Sequence, residues 1–435
     1  MVDHTATARI ERLVRWLELF KPCFGHRAQL MALRTYVQGV FSDSERKSMQ
    51  AMLARVTEPV AYQASQHFIT HAPWDAERVW RRLRAVIPER RGVAILDGTG
   101  FPKHGPHSVG VARQYCGALG KIANCQVATT VALWTGVRGW FLGVKLYLPE
   151  EWLTPDRQQQ TRIPAGLHFQ EKWRHALSLL RQVRAAGFTL TAVIGDAEFG
   201  NVTAFRAALH RLRLPYALGI SSKLTIFLKR PRLIAPGPRA DGPGRPATRR
   251  RVVAQPVTVR DVARHLPPSA WRSISWRNGT QPRRRAPFAA VRVTPATGWR
   301  VGRLAPEVWL LCEREPDGDI KYYFIHLPVS ASLRRLVTLA HQRWAIEQQY
   351  QELKSELGLD HFEGRTYPGW HHHVVLTAVA HAYIQRERMR RGAAGLTFPA
   401  VRAVVQEIFT ALLFAQKPRY MHWMEQAKHK LQLRI

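Results

Sequence analysis

The sequence predicts an α/β protein with a mixed-sheet core, an all-α domain before it, and a β-rich insertion ahead of the last core helix. Three features carry this expectation. Residues 1–88 place their apolar side chains at helical spacing. Two later apolar runs, VAIL at 93–96 and TAVIG at 191–195, each lead into an aspartate and alternate with helix-period segments. From 221 to 306 the chain turns rich in Pro, Gly and Arg, with only short strand-like pieces. The expected layout is a helical domain over 1–88, a core over 89–220, an insertion over 221–306, and the rest of the core with C-terminal helices over 307–435.

In the first domain, Ile10, Leu13, Val14 and Leu17 form one amphipathic segment, stopped by Pro22. A second helix is predicted over 27–41. Ser42 and Ser44 are candidate caps for a third, which carries Met49, Met52 and Leu53. Segments 61–69 and 76–86 complete a small bundle. Arg12, Arg15, Arg27 and Arg34 are scattered over it, either as a solvated surface or as a DNA-end-binding face.

The pattern changes at Gly92. A buried strand over 93–96 ends on Asp97 and opens into a Gly/Pro loop. A basic loop with Arg113 and Lys121 leads to strands over 126–134 and 140–148, giving an antiparallel meander. A helix over 169–186 ends at Gly187. The second acidic strand end is Asp196, with Glu198 two residues on as its rival. A helix over 201–212 and a strand over 215–220 follow. In the insertion, short strands surround Arg283, Arg284 and Arg285. Trp271, Trp276 and Trp299 there suit either base stacking or the core of a small sheet. A hairpin over 308–328 turns at Asp317-Gly318. Helices over 370–390 and 398–413 precede a basic tail with Lys428, Lys430 and Arg434. Adjacent histidines His371–His373 cannot all face one ion from a helix.

Ser330 and Ser332 precede the most informative stretch, HQRWAIEQQYQELKSEL at 341–357, which reads as one helix. Ile346, Tyr350, Leu353 and Leu357 make its apolar stripe. On a second face, Arg343 falls roughly 40° and Lys354 roughly 20° from Glu347, on opposite sides of it. Glu352 and Glu356 point away. Read alone, this face is more simply a set of surface ion pairs at four-residue spacing.

The 435 residues carry 65 Lys and Arg against 31 Asp and Glu, a formal charge of +34, which points to a polyanion and above all to nucleic acid. Four cysteines without CxxC spacing argue against a zinc site or a disulfide framework. The N-terminus lacks signal-peptide form and no apolar run approaches a bilayer span, so a soluble cytoplasmic protein is expected. Asp97, Asp196 and Glu347 then form an ordered trio. Carboxylates without His or Cys suit hard divalent cations, Mg²⁺ or Mn²⁺, and two such ions serve phosphodiester displacement.

The chain resembles the DDE transposases of bacterial insertion sequences. The resemblance rests on LDGTGFPKHG with the first acid, HSVGVARQYCGALGKIANCQ beside it, IGDAEFG with the second, and the insertion before the last helix. Arg343, Glu347 and Lys354 match the family's Tyr-x2-Arg-x3-Glu-x6-Lys signature, whereas its tyrosine position is Ala340. The resemblance implies an RNase H-like core in which Asp97, Asp196 and Glu347 hold two Mg²⁺ ions, with Mn²⁺ able to substitute. It implies cut-and-paste chemistry on double-stranded DNA: cleavage at terminal inverted repeats, then joining of 3′-OH ends to target DNA. Arg343 and Lys354 would hold phosphates, with Arg113, Lys121 and Arg283–Arg285 as further DNA contacts. A tryptophan of the insertion would stack an extruded base, and two copies would bring the ends together at the nucleoid. A nuclease that does not join ends and a transposase-derived DNA-binding protein are the alternatives.

Overall fold

The computed structural model describes residues 4–56, 59–235, 250–276, 283–299, 303–390 and 395–416. Residues 236–249 of the Pro/Gly/Arg-rich stretch and the tail cations Lys428, Lys430 and Arg434 lie outside them.

Helices α1 (His4–Glu18), α2 (Arg27–Phe41), α3 (Met49–Leu53), α4 (Tyr62–Thr70) and α5 (Ala76–Val86) come first, as their apolar spacing predicts. The cap of α3 differs: Ser48 accepts from the Ala51 amide, whereas the Ser42 hydroxyl donates back to the Gly39 carbonyl. These helices pack on α13 (Tyr367–Glu387), which is buried on nearly every face. Trp16 Nε1 donates to the Val379 carbonyl at 3.2 Å, and Arg12 grips Glu387 through two nitrogens. Buried Arg84 ties α5 to the sheet by donating from Nε to the Leu142 carbonyl at 2.9 Å. The histidine run serves this packing. His372 stacks on Trp74 at 3.6 Å, and His373 accepts from Tyr36 Oη at 2.7 Å.

The sheet begins with β1 (Arg91–Pro102), β2 (Ala112–Cys116), β3 (Lys121–Trp134) and β4 (Gly139–Leu146). Next come α6 (Pro155–Thr161), α7 (Lys172–Ala185), β5 (Thr189–Gly195), α8 (Ala197–Gly200), α9 (Thr203–Arg211) and β6 (Tyr216–Ile220). β4, β3 and β1 are antiparallel, whereas β1, β5 and β6 run parallel. Helical crossovers through α7 and α9 supply the parallel pairings. Two expectations are corrected here. Asp97 does not end its strand: β1 continues through Gly98 to Pro102, and Asp97 sits opposite Thr130 of β3. The stretch with Arg113 and Lys121 is not a loop but the β2–β3 hairpin, in which Cys116 pairs with Lys121.

The segment between β6 and the last helices contains β7 (Thr225–Phe227), β8 (Leu233–Ile234), β9 (Arg251–Val252), β10 (Val257–Thr258), α10 (Val259–His265), β11 (Arg272–Trp276) and β12 (Arg284–Pro295). The hairpin β13 (Val308–Arg314) and β14 (Ile320–His326) follows. β8 and β9 pair only with each other. The other strands extend the main sheet in the order β10-β7-β12-β13-β14-β6-β5-β1-β3-β2, with β11 on β12 and β4 on β3. The chain ends in α11 (Leu333–His341), α12 (Trp344–Gln351), a π-helical turn over Glu352–Glu356, α13 and α14 (Phe398–Gln416). Ser332 caps α11 by accepting from the Arg335 amide.

The predicted single helix over 341–357 is therefore interrupted twice, by a turn at Gln342–Arg343 and by the π turn. Glu352 is not on a surface. It is buried, with its Oε2 3.1 Å from both His381 Nε2 and Gln385 Nε2 of α13.

One close approach fixes how the end of α8 packs on β6. A Cβ on Gly200 would lie 1.8 Å from the Gly219 carbonyl oxygen of β6. Gly200→Ala is expected to destabilise the protein by at least about 2 kcal/mol, because a rigid backbone group must move. Denaturant melts check this; an unchanged midpoint would mean the packing has slack.

Candidate active site

The three acids reach one cleft from three elements. Asp97 comes from the interior of β1, Asp196 from the N-cap of α8 directly after β5, and Glu347 from the first turns of α12. All three line a cleft of about 780 Å³ together with Arg343, Tyr350 and Lys354. Asp196 accepts from the Glu198 amide at 3.0 Å, so its carboxylate is held at the helix start. Glu347 is the most exposed of the three.

Arg343 lies between two of these acids. Its Nη1 is 3.0 Å from Asp97 Oδ1, and its Nη2 is 3.3 Å from Glu347 Oε1. The turn that breaks the helix places Arg343 at the N-cap position of α12, freeing its side chain to reach across to β1. Lys354 donates to the Gly100 carbonyl at 2.8 Å and lies over the Phe101 and Tyr350 rings. It therefore forms part of the cleft wall rather than an open helix face.

Burial pushes the Asp97 carboxyl up to about 7. Arg343 opposes this, whereas Asp196, Glu347 and Glu198 reinforce it. A buried carboxylate facing three others, with one arginine against it, is a site short of positive charge. Among the described residues no group of three acidic, histidine or cysteine side chains stands close enough to hold an ion in this arrangement. Arg343 fills the space between Asp97 and Glu347.

Three neighbours carry no motif of their own. Tyr350, expected only as core, places its Oη 2.5 Å from Thr130 Oγ1, and Thr130 donates to the Asp97 backbone carbonyl at 3.2 Å. Glu198, the rival to Asp196, lines the same cleft but pairs with Lys172 at 2.6 Å. Glu313, almost fully buried, lies 3.1 Å from His341 Nε2 and accepts from Tyr323 Oη.

A second groove of about 880 Å³ meets the first at Asp196, Arg343 and Glu347. Arg284, Arg285 and Trp276 line it, and so does Ala340 at the position of the signature tyrosine. Trp276 stacks on His341 at 4.2 Å. The other tryptophans sit apart: Trp271 lies under the Arg314 guanidinium, and Trp299 packs edge-on against Phe227. Arg283 is exposed beside this groove, while Arg113 and Lys121 are exposed on the β2–β3 hairpin. The structure thus brings five predicted residues into one cleft and two into the groove that joins it.

Residues 19–283 match the DDE superfamily endonuclease family. That span includes Asp97 and Asp196 and stops short of Glu347. The chain is 29% identical over 222 residues to the probable transposase for insertion sequence element IS701 of Microchaete diplosiphon. That alignment covers 50% of this chain and 56% of the relative, so the chain spans about half the length of the curated protein it matches. Among solved structures, the piggyBac transposase synaptic complex with hairpin DNA aligns at 9% identity and a TM-score of 0.43, over 91% of this chain and 73% of that one. Among the described residues no helix is long and apolar enough to cross a membrane.

Proposed function

The chain belongs to the DDE superfamily of endonucleases, and from that premise we propose that it is the transposase of an insertion sequence. In this reading it cuts double-stranded DNA at the ends of its element and joins the freed 3′-OH ends to target DNA. The single observation that carries the proposal is the convergence of Asp97, Asp196 and Glu347 on one cleft, where Arg343 is the cation set between two of them.

The donor set fits hard divalent cations, since it offers carboxylate oxygens, with Asp97 held in a buried position where one arginine stands against three further carboxylates. Asp97, Asp196 and Glu347 would hold Mg²⁺ ions, with Mn²⁺ able to substitute. When bound, two such ions supply activation of the attacking oxygen and stabilisation of the leaving one. The remaining work falls to this chain's own groups. Thr130 and Tyr350 hold the β1 backbone in place at Asp97. Arg343, charged on either side of its present pairings, and Lys354 hold the phosphates that flank the scissile bond. The two grooves meeting at the acids give the DNA a continuous path, gripped by Arg284 and Arg285 on one side and by Arg113 and Lys121 on the other. The strand order β4-β3-β1-β5-β6, three antiparallel then two parallel, supports the RNase H-like reading of the core. The helices before it serve as the DNA-end-binding unit, and the active assembly is a homodimer holding two ends.

The test uses purified protein and DNA spanning the ends of its own element and a target plasmid, with Mg²⁺, with Mn²⁺ and with EDTA. Metal-dependent cutting at the ends followed by joined products is expected. Cutting without joining would leave a nuclease of the same family. Binding without cutting under either metal would remove the enzyme reading.

A further inference from the structure

The β2–β3 hairpin is built from the HSVGVARQYCGALGKIANC stretch, and neither the acids nor the phosphate-holding cations account for it. Its two faces differ sharply. One is anchored: Cys116 and Cys125 are fully buried, and Gln114 donates to the Cys125 carbonyl at 3.1 Å. Gly100 of β1 makes room for this face, because a Cβ there would lie 2.8 Å from Cys116 Sγ. Asn124 ties the hairpin's base to the end of β1 by donating to the carbonyls of Lys103 and Gly105. The other face is open. Tyr115 and Ile122 are directly paired across the strands, so they project together, and they are 64% and 61% exposed. Arg113, two residues before Tyr115, lies on the same face and is also exposed.

A rigidly anchored hairpin that turns an aromatic and a β-branched side chain to solvent needs an occupant for that face. Position and charge name it. Tyr115 lines the cleft that holds all three acids. Arg113 is exposed on the same face of the hairpin, and the chain as a whole carries +34. Aromatic surface beside cations is the chemistry that receives unpaired bases on a nucleic-acid strand. We propose that the β2–β3 hairpin is a strand-separating wedge: Tyr115 and Ile122 stack against bases unpaired next to the scissile phosphate, on the side of the cleft away from the β11–β12 groove. The proposal rests on the reading of the chain as a DNA-cutting enzyme.

The experiment uses end DNA in two forms, fully paired and with the base pairs across the cleavage site already opened, each carrying 2-aminopurine in the complementary strand, as the partner base that the wedge frees but does not stack on. Without divalent metal no strand is cut, and fluorescence then reports unstacking alone. Wild type is expected to brighten the paired duplex. At saturating protein, Tyr115→Ala with Ile122→Ala is expected to bind both forms, the opened one more weakly than wild type because the stacking is lost, and to fail to brighten the paired one. With Mg²⁺ the same variant is expected to lose roughly tenfold or more in cutting of paired DNA and little on the opened form. Tyr115→Phe, which keeps the ring, is expected to restore both signals. Equal brightening by wild type and variant overturns the wedge, and so does equal loss of cutting on both substrates. Brightening by a wild type that cuts neither form keeps the wedge and removes the enzyme reading instead.

Discussion

Asp97→Asn is expected to reduce DNA cutting by at least about a thousandfold, the scale reached when one group that organises transition-state charge is removed. It is also expected to make the metal-free protein more stable at alkaline pH. Both effects come from one placement. Asp97 is buried in the middle of β1, and its carboxyl is pushed up to about 7 by that burial, against the opposing pull of Arg343. A carboxyl raised in the folded state favours the proton there. Below its unfolded value near 4 it is neutral in both states and nothing is lost. Stability then falls as pH rises towards 7, and above 7 the folded protein holds a buried charge at full cost. Asparagine has the same shape and no charge at any of these pH values. The gain from the substitution is thus absent near pH 4 and of order 2 kcal/mol at pH 8, after allowance for an Arg343 left with one partner fewer. Denaturant melts in EDTA at both pH values measure it. A variant less stable than wild type at pH 8, or equally shifted at both, would mean that Arg343 and the surrounding dipoles already neutralise Asp97.

The acids were readable because they interrupt segments whose apolar character has a simple cause. β1 and β5 are central strands covered on both faces, so they read as unbroken apolar runs, and an aspartate beside such a run stands out. What followed Asp97 was not readable. Gly98, Gly100 and Pro102 have loop composition, yet they pair with Thr129, Val127 and Cys125 of β3, because a neighbouring strand was there to receive them. The hairpin with Arg113 and Lys121 was hidden the same way, its register set by β3 rather than by its own residues. The break at Gln342–Arg343 leaves no mark in periodicity, since two residues out of helical register hardly change a stripe that resumes at once. Glu352 shows the clearest limit. Its spacing puts it off the apolar stripe and says surface, but His381 and Gln385 reach it from a helix about thirty residues later. Partners that far along the chain leave no local signal. Spacing puts Tyr350 on the apolar stripe, but its hydrogen bond to Thr130 beside Asp97 depends on how α12 crosses the sheet.

Arg343→Ala is expected to act in opposite directions on metal binding and on catalysis. Arg343 bridges Asp97 and Glu347, and the two other cations lining the cleft are engaged elsewhere: Lys354 with the Gly100 carbonyl and Lys172 with Glu198. Its removal leaves a buried carboxylate facing like charges without its nearest compensation. The metal-free protein should lose about 2–3 kcal/mol at pH 8 and less at pH 5, where Asp97 takes up a proton. The same loss favours any divalent cation, which no longer competes with a guanidinium for two of its oxygens. Calorimetric titration with Mn²⁺ in the absence of DNA should therefore show tighter binding, by roughly tenfold for one charge removed at this range. Cutting at saturating metal should nevertheless fall by about a hundredfold, because the phosphate beside the scissile bond has lost a forked donor. Arg343→Lys keeps the charge without the fork. It should therefore leave metal affinity near that of wild type and recover only part of the cutting. Weaker Mn²⁺ binding by Arg343→Ala would rule out competition and make Arg343 a group that shapes the acids for the ion. Loss of metal binding and cutting in parallel would carry the same meaning. A split between the two readings would establish that one arginine holds the acids together before metal binds and then turns to the DNA.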